Sequence, residues 1–319
     1  MSGRFTRAAK GMFVAAVLLS SVSAAAAADR EYTVESSDGV SIAVEETGNP
    51  AGQPIVFVHG LLGSRINWNK QTSDPDMQRF RLITYDLRGQ GQSGKPDDAA
   101  AYKDGDRWAD DLAAVLKESK AKNPVLVGWS LGGVVLSNYL ASHGDAGIGG
   151  LVYVDGVIEL KPDLITPHPQ VYAGLASQDL RTHLDAVRTF LALCFQTPPD
   201  RTTFERLLSN AATASWLMTR TVPSMTVQAE EGLPRAKVPV LLIYGGKDNL
   251  VLPEASIARA KFLNNRIKWE IYDDSGHAPF VEEAARFNMD LAKFAVFAQG
   301  RSSIGSRFGG SPTEGRRRI

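Results

Sequence analysis

Pro124-Val125-Leu126-Val127-Gly128-Trp129-Ser130-Leu131-Gly132-Gly133 is the stretch whose reading decides the fold. Its apolar opening reads as a buried strand. A Gly-x-Ser-x-Gly pentapeptide follows, and Val134, Val135, Tyr139 and Leu140 then recur at helical spacing. Strand, sharp turn and helix therefore succeed one another with Ser130 at the apex. Such a turn crowds the backbone, so small residues are needed on both sides of the serine, and Gly128 and Gly132 meet that need. The hydroxyl stands out beyond the strand, above a helix N-terminus that favours developing negative charge. In a chain with 29 glycines the pentapeptide alone could arise by chance, so its strand-before, helix-after setting carries the weight.

Upstream, residues 31–48 alternate apolar and polar around a turn at Ser37-Asp38-Gly39, which predicts a β-hairpin. Pro54–Val58 is a continuous apolar strand followed by His59-Gly60-Leu61-Leu62-Gly63-Ser64. A helix is expected over 67–78, a strand over Arg81–Tyr85, and a helix over 108–117 from Trp108, Leu112 and Leu116. Downstream, strands are expected at 151–154, 238–244 and 267–272, the last followed by a helix carrying Phe280, Ala284, Phe287, Leu291 and Phe294. Strands alternating with helices imply an α/β fold with a mostly parallel sheet of about eight strands, flanked by helices. About eighty residues without a strand signal separate two of those strands, too many for a loop in a compact domain. They hold helical spacing at Leu180, Leu184, Val187, Leu191 and Cys194 and a second helix near 203–212, and so read as a helical cap insertion. The expected division is a core at 29–157 and 236–299, a cap at 158–235, and a disordered Gly-, Ser- and Arg-rich tail at 300–319.

A serine hydroxyl needs a base to become a nucleophile. Of the five histidines, His277 is best placed, on a loop at the C-terminal end of a parallel strand, the sheet edge where Ser130 also emerges. The base needs a carboxylate to hold its tautomer. Asp248, after 238–244 and a Gly-Gly-Lys turn, is preferred because the order Ser, Asp, His with a late acid suits this architecture, and Asp155 is its rival. Backbone N–H groups of Leu131 and Leu61 are expected to face an oxyanion. Asp86 and Arg88 read as an ion pair or turn clamp beside the site. Trp129 and, in the cap, Trp216, Leu217 and Met218 are expected to contact substrate. No Cys/His cluster has metal-ligand spacing, and no metal or organic cofactor is implied.

The chain resembles the α/β-hydrolase superfamily in its single-domain, cap-bearing branch, over about residues 31–298. The matching pieces are His59-Gly60, Asp86-x-Arg88-Gly89-x-Gly91-x-Ser93, Gly128-Trp129-Ser130-Leu131-Gly132-Gly133, Gly246-Lys247-Asp248 and Gly276-His277. In that family these positions are the oxyanion loop, a structural turn, the nucleophile elbow, the acid and the base. Ser130 stands where haloalkane dehalogenases and epoxide hydrolases carry aspartate, so those branches are excluded. The expectation is a serine hydrolase acting on a small carboxylic ester or related acyl compound. Lactone or carbon–carbon bond hydrolysis, cofactor-free perhydrolysis, and a catalytically silent binding protein are the alternatives on the same fold.

Charge distribution bounds the partners. Arg4, Arg7 and Lys10, an apolar run from Met12 to Leu19, and small residues 23–28 have the order of an export signal with cleavage after Ala28. The body between that segment and the last twenty residues holds 27 basic and 34 acidic residues, which argues against nucleic acid. Once the signal is removed no stable membrane anchor is expected. The single cysteine, Cys194, excludes an internal disulfide, so a bacterial periplasm or secretion fits best.

Overall fold

The computed structural model describes residues 29–307, the last seven by backbone alone. Eight strands form one sheet: β1 Arg30–Glu35, β2 Ser41–Gly48, β3 Pro54–Val58, β4 Arg81–Tyr85, β5 Val125–Trp129, β6 Gly150–Val154, β7 Val240–Gly245 and β8 Lys268–Tyr272. Their order is β1-β2-β4-β3-β5-β6-β7-β8, antiparallel at β1–β2 and β2–β4 and parallel elsewhere. All residues of β3, β5 and β6 are buried, as continuous apolar runs covered on both faces require. The edge strands β1 and β8 carry most of the exposed positions. Parallel pairing from β3 to β8 brings the C-terminal ends of β5, β6, β7 and β8 to one edge of the sheet.

Helices cover both faces. The first long one, α1 (Gly105–Ser119), starts where the Asp104 side chain accepts the Asp106 N–H and buries a stripe of Trp108, Leu112 and Val115. The helix after Ser130, α2 (Leu131–His143), is buried on every side from Leu131 to Ala141 and so has no polar face. Between β6 and β7 the described elements are helical apart from one isolated bridge, Ile165 to Val251: α3 (Pro169–Leu175), α4 (Leu180–Leu193), α5 (Arg201–Ala211), α6 (Trp216–Thr221) and short turns as far as Arg235. Asp179, Asp200 and Ser215 cap the starts of α4, α5 and α6. Two further helices, α7 (Pro253–Leu263) and α8 (Ala284–Arg307), complete the core.

Two expectations are corrected. The helix over 67–78 is instead a set of short turns at Arg65–Trp68, Asn69–Thr72 and Met77–Arg79. Pro75 disfavours helix at the residue before it, and the Asp74 side chain takes the N–H groups of Asp76 and Met77. The helix behind His277 breaks at Glu283 into Pro279–Glu282 and α8. That last helix runs on to Arg307, and residues 308–319 of the expected tail lie outside the described residues. Residues 1–28, the expected signal, lie outside the described residues.

Candidate active site

Ser130 follows β5 directly, with φ 53° and ψ −116°, a conformation that L-residues adopt at a cost. Neighbouring backbone fixes it. Its N–H donates to Val154 O at 3.0 Å, and its carbonyl accepts the N–H groups of Gly133 and Val157, each at 2.9 Å. The glycines are required by close approach: a Cβ on Gly128 would lie 2.6 Å from Gly132 O, and one on Gly60 2.9 Å from Ser130 Cβ.

Asp248 and His277 meet beside this turn. The Nδ1–H of His277 donates to Asp248 Oδ2 at 2.7 Å, and both side chains are almost fully buried. Asp248 Oδ1 accepts the N–H groups of Leu250 and Val251 at 2.7 and 3.1 Å, so the carboxylate is held from both ends. His277 Nε2 is buried with no hydrogen-bond partner. Its loop is pinned by the Trp129 indole, which donates to His277 O at 2.6 Å, and by Glu282, which accepts the Gly276 N–H at 2.9 Å. The rival acid, Asp155, follows β6 one strand nearer Ser130. Its Oδ1 accepts the Gly245 N–H at 2.8 Å and makes no bond to His277. Burial, and then the charge of Asp248, push its carboxyl well above the usual range.

The loop after β3 reaches the same place. Leu61 and Leu131 both border the space at Ser130, and the N–H of Leu131, first in α2, has no intrahelical acceptor. His59 props this loop. Its Nε2 accepts the Leu87 N–H at 2.9 Å, which leaves the proton on Nδ1 to donate to Gly60 O at 2.8 Å. Desolvation pushes its pKa down to about 4, so the ring is a neutral strut. The remaining histidines are also structural: His143 meets Asp110, His168 meets Asn249 O, and His183 lies against Trp216. Asp86 and Arg88 do not pair with each other. Asp86 accepts from the backbone and guanidinium of Arg65, while Arg88 lies between Asp111 and Asp38.

A family model described as the alpha/beta hydrolase fold matches residues 53–284. The chain belongs to that family. It is similar to a crystal structure described as "a putative aryl esterase from Burkholderia cenocepacia", at 62% identity and a TM-score of 0.84, covering 85% of this chain and 100% of that one. The structure of an esterase, RhEst1, from Rhodococcus sp. ECU1013 matches at 30% identity and a TM-score of 0.77, over 83% of this chain and 98% of that one. A non-heme haloperoxidase of Rhodococcus erythropolis is 26% identical over 82% of this chain and 98% of its own length.

In this α/β-hydrolase a cavity of about 440 Å³ opens between the cap and Ser130. Its walls are mainly apolar, with Val157, Leu175, Phe190 and Val222 among them. Lys161 at its border is paired with Glu159 at 3.0 Å and Glu230 at 3.3 Å. The four residues expected to contact substrate are elsewhere. Trp129 is buried against His277 and Phe280. Trp216 lies tilted against His183, Met218 packs under Gly89, and Leu217 is half-buried against the core. The next turn supplies the wall instead, through Thr219, Val222 and Pro223. A short helix bearing three consecutive bulky residues gives no phase from sequence, so this lining had no readable signal.

Proposed function

We propose that this chain is a serine hydrolase that cleaves a small, uncharged carboxylic ester through an acyl-enzyme, with the acyl or aryl part in the apolar cavity. One observation carries the reading: Ser130, on its strained turn, floors that cavity while the Asp248–His277 pair beside it leaves Nε2 unpartnered. Ser130 Oγ attacks the ester carbonyl as His277 Nε2 takes its proton. Asp248 stabilises the imidazolium, and the N–H groups of Leu61 and Leu131 receive the oxyanion. The ester C–O bond breaks, and His277 returns the proton to the departing alkoxide. Water, giving its proton to His277, then attacks the acyl-enzyme, and collapse releases the acid and restores Ser130. Relatives named as esterases at 62% and 30% identity support the reaction class. The haloperoxidase relative supports a second use of the same acyl-enzyme, in which a peroxide takes the place of water and yields a peracid.

The test combines a fluorophosphonate probe, p-nitrophenyl esters of graded chain length, and Ser130→Ala. The wild type should label and turn over short esters. The variant should do neither at unchanged circular dichroism, with a loss on the order of 10⁶ in kcat. Activity retained by a folded variant would remove Ser130 from the reaction. The basic, apolar and small-residue order of residues 4–28 supports export as part of this proposal, and a mature N-terminus at Asp29 in a periplasmic fraction is its check.

A further inference from the structure

Behind His277 lies a carboxyl that the reaction above does not use. Asp155 is fully buried, its backbone held at φ 41° with its N–H on Ile243 O at 2.8 Å. Its Oδ1 takes the Gly245 N–H, while Oδ2 meets no N–H or O–H donor. Yet a carboxyl oxygen of Asp155, one of Asp248 and a ring nitrogen of His277 all lie within 4.8 Å of one another. Two carboxylates so close in a buried site do not both ionise, so one proton is held between them.

Hydrogen bonding decides where that proton sits. Asp248 accepts three bonds, from His277 Nδ1 and the N–H groups of Leu250 and Val251, whereas Asp155 accepts one. Bonds donated to a carboxylate favour its charged form, so the charge belongs on Asp248. The other titratable groups facing Asp155 do not reverse this. Glu282 adds a further negative charge that disfavours ionised Asp155, and the Tyr244 hydroxyl and Cys194 thiol are pushed up by burial and stay neutral.

We propose that Asp155 is a protonated carboxylic acid whose Oδ2–H donates to Asp248, so that the two carboxyls share one proton and one negative charge, with Asp155 acting as a positioning residue for the partner of His277. Oδ2 then has its partner, and the acid is set by an element on each side: β6 through Asp155 and the β8 loop through His277. The donated bond also takes up part of the Asp248 negative charge that faces His277.

The test compares wild type with Asp155→Asn and Asp155→Ala. Infrared difference spectra near neutral pH read the proton without any substrate, and only the kinetic measurements rest on the hydrolase reading. Wild type should show a protonated-carboxyl band that Asp155→Asn lacks; no such band would overturn the proposal. The asparagine amide can donate to Asp248 in place of the acid, so Asp155→Asn should keep the wild-type kcat and the wild-type acidic limb of kcat/KM. A limb displaced to lower pH would mean that the substitution removed a negative charge, and would also overturn it. Asp155→Ala should lose about 10- to 100-fold in kcat with KM little changed and the acidic limb moved up. Equal behaviour of the alanine and asparagine variants would show that Asp155 positions nothing. Should the alanine variant not fold, the infrared band and the asparagine pH profile still decide.

Discussion

Two buried charge clusters sit at the same end of the sheet and are built to opposite rules. Around Arg88 every valence is used. Its Nε and Nη2 bond Asp111 at 2.7 and 2.6 Å, Nη1 and Nη2 reach Asp38, and the carbonyls of Ala101 and Arg107 take what remains. Around Asp248 two buried atoms are left over, Asp155 Oδ2 and His277 Nε2. A closed network of this kind fixes a turn and has no atom left to offer a ligand. An open one, with its free atoms on titratable groups beside Ser130, is where a proton or a substrate can enter. The two clusters should therefore fail differently when broken.

The sharpest separation is expected at the acids. Asp248→Asn should lower kcat by roughly 10⁴, because the amide can hold His277 in the wrong tautomer. The melting temperature should barely move, since shape is kept. A parallel fall in stability would erase the distinction between the clusters. Asp111→Ala should do the reverse. It leaves the Arg88 guanidinium, whose side chain is 0% exposed, without its main partner, a loss of about 3–5 kcal/mol. Urea titration is the measurement, with activity per folded molecule as the control. A stable Asp111→Ala variant would mean that Asp38 alone suffices for Arg88.

The same contrast explains what could be read in advance. That Ser130, Asp248 and His277 lie at one sheet edge was legible because each follows a stretch with strand character, and a parallel sheet gathers such ends at one edge. The strands were legible to within two residues for the same reason: β3, β5, β6 and β7 are too apolar to be anything but covered. Asp155 carried the same strand-end signal. Its relation to Asp248 depends on β6 pairing with β7, a neighbour relation that no local pattern encodes. Arg88 was recognisably structural, but its partner Asp111 lies on α1 and had no signal beyond a buried helical phase. The cap was legible as helices and not as a wall, since Met218 is buried under Gly89 and half-buried Trp216 lies against His183, and the cavity is bordered by Val222 and Pro223 instead.

The smallest effects should appear in how stability follows pH, where the two kinds of site have opposite signs. His59 is closed on both nitrogens, and burial lowers its pKa from 6.5 to about 4 despite the nearby charge of Asp86. The unfolded chain takes up a proton near the ordinary value, while the folded chain refuses it until about 4. Its contribution is therefore complete above 6.5 and lost as pH falls from 6.5 to about 4, a change of about 3 kcal/mol. Asp155 works the other way. Its folded pKa is raised, so the folded chain keeps a proton that the unfolded chain releases above 3.8, and stability declines as pH rises through that region. Urea midpoints for wild type, His59→Gln and Asp155→Asn across this range test both signs. The glutamine amide offers one acceptor and one donor, so His59→Gln should lose less stability than wild type on acidification. Asp155→Asn should gain on wild type as pH is raised. Parallel curves for wild type and His59→Gln would mean that the ring is charged in the fold and paired with Asp86, which would place His59 among the open sites and break the comparison.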